Sequence, residues 1–130
     1  MNLIRTFLAV LCCRFSRWII RLLGRGGTAF PGRVALKIYP QVLGVLSKNV
    51  RTILITGTNG KTTTSRMVEQ AFIDTKKSYF SNKSGANLIS GITAEFAMNS
   101  TLGGRCRKEF AVIECDEAAS KTVLKYLKPE

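Results

Sequence analysis

Between residues 53 and 64 the sequence reads ILITGTNGKTTT, an apolar, β-rich run that passes through a glycine-punctuated turn into a lysine and three threonines. Few local structures satisfy all of it. A strand ending at Thr56 and a helix opening near Thr62 leave a short turn, in which Gly57 and Gly60 let successive backbone N–H groups curl towards one concavity. The following helix adds the positive end of its dipole, so the turn reads as a phosphate cradle spanning Gly57, Thr58, Asn59, Gly60 and Lys61. Lys61 supplies a point charge for terminal phosphates, Thr62 a hydroxyl suited to Mg²⁺, and Thr63 a hydroxyl in reach of the next phosphate inward. A plain strand-to-helix turn has no use for that set.

The general P-loop pattern asks for a glycine where Ile55 stands, so the motif is a shortened variant, GTNGKT. Apolar periodicity and turn chemistry set out the rest of the chain. A helix over 2–23 is followed by GRGGTAFPG, a break dense in turn residues, and by a helical segment over 33–47 interrupted near Pro40. A strand over 50–56 feeds the cradle, and a helix over 62–72 leaves it. Then come a short strand over 78–80, a polar loop over 81–87 and a helix over 88–98. A basic connection over 100–108, a buried strand over 110–113 ending at Glu114, and a helix over 117–127 stopped by Pro129 complete the chain.

Strands alternate with helices, which predicts an α/β fold. Its expected form is a P-loop-type parallel sheet with right-handed crossovers and helices on both faces, preceded by a basic amphipathic helical segment. The expected division is 1–47 for that segment and 48–130 for the nucleotide-binding portion. Ligands of such sheets collect at the carboxyl ends of the strands. The cradle, the loop after Phe80 and the turn at Cys115, Asp116 and Glu117 all fall on that edge.

Charge is distributed unevenly. Of the 20 Lys and Arg residues, eleven precede Glu69, the first acidic residue, whereas the remaining 62 residues carry nine basic and eight acidic side chains. The net charge of +12 therefore describes a surface or partner of the N-terminal half. In the first helix Ile4, Leu8, Leu11, Phe15, Trp18, Ile19 and Leu22 share one face, with Arg14, Arg17, Arg21 and Arg25 beside it. Arginines bar it from spanning a membrane, the longest clean run being residues 6–13, and no small-residue cleavage site marks a secretory signal. Two roles stay open: packing on the nucleotide-binding portion, or lying on an anionic membrane surface. Nucleic acid is disfavoured, because the aromatics of the basic half fall on the apolar stripe and not in a stacking patch. Cys12, Cys13, Cys106 and Cys115 form no CxxC pair and the chain has no His, so neither a zinc site nor a disulfide framework is read from them.

Glu114 ends an otherwise apolar strand, where a carboxylate is costly unless a charged partner meets it. Mg²⁺ shared with Thr62 and nucleotide phosphates is such a partner; a solvated strand-end acid is the alternative. Asp116 and Glu117 are candidates to support that metal from outside its ligands, but Asp116 is equally well placed to N-cap the last helix, its default reading, and Glu117 to sit in the first turn. Asn87 and Ser84 face the phosphates or serve as ordinary turn residues.

The GTNGKTTT loop resembles that of the Mur ligase family, which also includes folylpolyglutamate synthase. GRGGTAFPG, SGANLISGIT, AVIECDE and VLKYLKP, in this order, resemble the branch of ligase subunits that amidate lipid II, from about Leu22 to Pro129. The resemblance implies that ATP and Mg²⁺ are used to activate the D-glutamate α-carboxylate of lipid II as an acyl phosphate. Ammonia from a partner glutaminase subunit then yields isoglutamine. It implies that Lys61 stabilises the transferred phosphoryl group, that Thr62 and Glu114 hold Mg²⁺, and that Asn87 faces the γ-phosphate. It also implies a cytoplasmic protein, with its substrate at the inner membrane face. Family members continue with more strands, a cysteine-bearing zinc insertion and a C-terminal domain, so the chain is expected to be an N-terminal fragment that is not catalytically competent alone. The alternatives are another Mur-type or folylpolyglutamate ligase, or a basic P-loop ATPase or binding module at a membrane or on nucleic acid.

Overall fold

The computed structural model describes residues 3–24, 29–57, 59–82 and 88–127. In chain order the elements are α1 (Leu3–Leu22), α2 (Ala29–Ile38), α3 (Val42–Leu46), β1 (Arg51–Thr56), α4 (Lys61–Asp74), β2 (Tyr79–Ser81), α5 (Ile89–Met98), β3 (Phe110–Cys115) and α6 (Glu117–Tyr126). The three strands are parallel in the order β1-β3-β2. The chain therefore moves two places across the sheet through α4 and one place back through α5. With right-handed crossovers, that reversal puts the two helices on opposite faces.

Adjacent residues of β2 show both faces at once, because side chains alternate along a strand. Tyr79 meets Phe72 of α4 with ring centroids 5.8 Å apart, whereas Phe80 meets Phe96 of α5 edge-on at 5.0 Å. Phe72 also stacks on Phe110 at the start of β3, at 4.5 Å. Residues 111–115 of central β3 are all buried, the pattern of a strand covered on both sides.

The helix α5 is the interior one: residues 90–97 are buried without a break, since the sheet lies on one side and α1 and α2 on the other. The buried Thr93 hydroxyl is satisfied within the element, its Oγ1 donating to the Ile89 carbonyl at 2.7 Å. The break predicted over residues 24–32 is shorter than expected, because Ala29, Phe30, Pro31 and Gly32 already belong to α2. Proline is tolerated in a first helical turn, where its missing N–H has no partner to lose. Gly32 is there for closeness: a Cβ on it would run into the Ser90 carbonyl of α5. Pro40 separates α2 from α3, as expected, and Leu43 and Leu46 are fully buried.

The helix α1 does pack on this body, but not by the stripe that its sequence advertises. It buries Thr6, Ala9, Val10 and Cys13 and leaves Ile4, Leu8, Leu11, Phe15, Trp18, Ile19 and Leu22 outward. Small side chains on the buried face of α1 let it approach α2 more closely than Leu or Phe would allow. Two polar ties secure it. The Arg17 guanidinium lies 3.8 Å from the carboxylate of buried Glu95 on α5, and Arg14 donates to the Ser100 carbonyl. All four cysteines are free. Among the described residues, no helix is long and apolar enough to cross a membrane.

Candidate nucleotide-binding cleft

Thr56 ends β1 at the carboxyl edge of the sheet, and Gly57, at φ 141°, turns the chain. Gly60 is the N-cap of α4 at φ 79°, a left-handed conformation that L side chains rarely adopt. No atom lies within 4 Å of the place a Cβ would take, so glycine is required there by conformation and not by space. No side chain caps α4 at this position, and its first-turn amides have no partner within the helix. Lys61, half-buried, is the first residue of α4, with Thr62, Thr63 and Asn59 exposed around it. Thr58, Ser84 and Asn87 lie outside the described residues.

Lys61 stands within electrostatic reach of the end of β3. Burial pushes the Cys115 thiol above its ordinary range, Asp116 pushes the same way, and the Lys61 ammonium opposes both. Glu114 is 9% exposed and pairs in register with Ile55 of β1. One cleft of about 200 Å³ holds the remaining polar groups: Thr62, Ser65, Arg66 and Glu69 from α4 face Asn82 and Glu114 from the strand ends. Ser65 Oγ is buried there without a hydrogen-bond partner among the described residues. A hydroxyl at Thr62, a spare hydroxyl at Ser65 and a carboxylate at Glu114 make an all-oxygen donor set. That is the chemistry Mg²⁺ uses when it shares its coordination with phosphates and water.

Asp116 is occupied otherwise. Its carboxylate accepts from the Ala118 amide at 2.8 Å and N-caps α6, with Glu117 exposed in the first turn, as the sequence predicts. Asn82, Ser65, Arg66 and Glu69 are cleft residues that sequence reasoning missed. For Asn82 a signal existed, since it is the first polar residue after β2, at the same edge as Glu114. The three α4 residues follow the cradle at helical spacing, which by itself does not say which side of α4 faces β3.

A parallel sheet with a Gly-Lys-Thr turn at its carboxyl edge and a strand-end carboxylate across the cleft defines an α/β unit of the P-loop type. The Mur ligase middle domain matches residues 55–130, from the end of β1 through the cradle, Glu114 and α6. The chain belongs to the Mur ligase family. Among curated proteins it is similar to the MurT subunit of lipid II isoglutaminyl synthase (glutamine-hydrolyzing) of Streptococcus pneumoniae, 39% identical over 99% of this chain. The corresponding subunit of Staphylococcus aureus is 37% identical over 96% of this chain. More distantly, UDP-N-acetylmuramate–L-alanine ligase of Prochlorococcus marinus is 33% identical over 68% of this chain and 16% of its own length. The chain spans 28% of the length of either MurT relative. The identity with them extends over α1 to α3, upstream of the residues that the middle domain matches.

Proposed function

We propose that this chain is the nucleotide-binding portion of an ATP-dependent amide ligase that acts on lipid II in peptidoglycan synthesis. The observation that carries the reading is that Thr62 and Glu114 line one cleft at the start of α4, directly after Lys61. Similarity to MurT subunits along nearly the whole chain supports the choice of acceptor.

In this reading the γ-phosphoryl group of ATP passes to an oxygen of the D-glutamate α-carboxylate, forming an acyl phosphate and ADP. Ammonia released by a glutaminase partner subunit attacks the carbonyl carbon, inorganic phosphate leaves, and the nitrogen loses a proton to give isoglutamine. The chain's own part is positioning and electrostatics. Backbone groups of Gly57, Thr58, Asn59 and Gly60, with the Thr63 hydroxyl, hold the phosphates, and Asn87 faces the γ-phosphate. Lys61 stabilises charge on the transferred group. The Thr62 hydroxyl and the Glu114 carboxylate hold Mg²⁺, which when bound neutralises charge on the phosphoryl oxygens. The nucleotide-binding portion is 48–130, and the basic segment 1–47 keeps a cytoplasmic protein near the inner face of the membrane, where a pyrophosphate lipid is met. Nucleic acid has no part in it.

The test is amidation of lipid II by the full-length ligase together with its glutaminase. Product is expected only when ATP, Mg²⁺ and glutamine are all present, and Lys61→Ala is expected to abolish it while glutamine hydrolysis by the partner persists. Undiminished amidation by that variant overturns the role of the cradle. Product from a free amino acid in place of ammonia assigns a different acceptor of the same family.

A further inference from the structure

The exposed face of α1 is the apolar one. Ile4 is 73% exposed, Phe15 59%, Trp18 58% and Leu22 67%, and they recur every three or four residues along the side opposite Thr6, Ala9 and Cys13. Phe15 and Trp18 stack, with ring centroids 6.1 Å apart. An apolar surface of this extent on a water-soluble face calls for an occupant.

Its border identifies the occupant. Arg14, Arg17 and Arg21 of α1 converge with Arg107, from the connection before β3, around an open cavity of about 360 Å³ that Trp18 and Met98 also line. Arg17 has Glu95 for a counter-charge. Arg14 gives a hydrogen bond to the Ser100 carbonyl, yet its Nε is buried with no partner among the described residues. Burial and then the nearby Arg107 guanidinium hold the Arg14 pKa below its ordinary value, as expected where like charges are crowded without an anion. The sequence has no acidic residue before Glu69 that could supply one. Arg107 is the unexpected member, since the sequence places it only in the basic connection over 100–108, far along the chain from α1.

We propose that the outward face of α1, with Arg14, Arg17, Arg21 and Arg107, is a docking surface for an anionic phospholipid leaflet. The helix lies in the interface plane, its Leu, Ile and Phe side chains enter the acyl boundary, and the guanidinium cluster receives headgroup phosphates. Trp18 sits at the junction of the two regions, where an indole with one apolar body and one N–H is favoured. The surface deepens the membrane-proximal location in the proposed function but shares no residue with the Lys61 cleft. Failure of one therefore leaves the other standing.

Trp18 is the sole tryptophan of the chain, so its fluorescence reports on this surface alone. The purified full chain is titrated with phosphatidylcholine vesicles with and without a minority of phosphatidylglycerol. Binding to the anionic vesicles, a blue shift of Trp18 emission and loss of binding as salt is raised are the expected results. Arg21→Glu and Arg107→Glu are each expected to lower vesicle partition by at least about fivefold, and Phe15→Ser to lower it as well. All three positions are exposed or at the cavity rim, and circular dichroism verifies that the variants fold. Equal binding to neutral and anionic vesicles, or unchanged Trp18 emission, overturns the proposal. So does saturation of the Trp18 signal by inorganic phosphate alone. A concentration-dependent dimer lost in Phe15→Ser overturns it too, assigning the face to a second copy.

Discussion

Asn82 stands in for a strand residue opposite Glu114. Its Nδ2 donates to the Glu114 carbonyl at 2.6 Å, and its Oδ1 accepts from the Glu114 amide at 2.8 Å, both in buried surroundings. The pairing of β2 with β3 stops at Ser81 and Val112. The Asn82 amide carries it two residues further and fixes the backbone from which the Glu114 carboxylate enters the cleft.

Replacing Asn82 by alanine leaves a buried N–H and a buried C=O unpaired. The expected loss is about 2–4 kcal/mol of stability, read as a lower midpoint in urea at unchanged slope. Asn82→Asp keeps the acceptor and opposes the Glu114 carbonyl with oxygen, so it should recover only part of the loss. Full stability of both variants would mean that the bonds contribute nothing net.

Gly32→Ala forces the backbones of α2 and α5 apart at Ser90, since every contact atom there is backbone and not a movable side chain. About 1–3 kcal/mol of destabilisation is expected, visible as a drop in Tm of several degrees. Gly44, where an added Cβ meets nothing nearer than 3.8 Å, provides the control: Gly44→Ala in α3 should be neutral or mildly stabilising.

Arg17→Ala removes the counter-charge of Glu95, which is 6% exposed on the interior helix. A loss of roughly 3 kcal/mol is expected, and Glu95→Gln in the same background should restore part of it by removing the buried charge. A double-mutant cycle measures the coupling, and additivity of the two changes would show that the pair does not interact.

Burial pushes the Cys13 thiol from an ordinary value of 9.0 up to about 12. The folded protein then holds a proton that the unfolded chain releases first. The contribution is complete below pH 9.0 and declines by about 1.4 kcal/mol per pH unit as the pH rises towards 12. Cys13→Ala should flatten this part of the stability profile. In the native state, Cys13 should react with iodoacetamide far more slowly than the half-buried Cys12 beside it, and equally fast in denaturant.

What the sequence determined by itself was local. The three strands, the glycine turn before α4, the helix break at Pro40 and the Asp116 cap follow from periodicities, turn residues and capping rules that act over a few residues. Each of these was legible because its cause lies inside the segment that shows it. Only tertiary structure decided the strand order β1-β3-β2, the meeting of Gly32 with Ser90 and of Asn82 with Glu114, and the arrival of Arg107 beside the arginines of α1. These join residues far apart in the chain, and no local rule selects among the many pairings that would satisfy each alone. The helix α1 shows the division most clearly. Its sequence specified two unlike faces, but which one meets the core was decided by how closely the small-residue face can approach its neighbours, and that left the large apolar face outward.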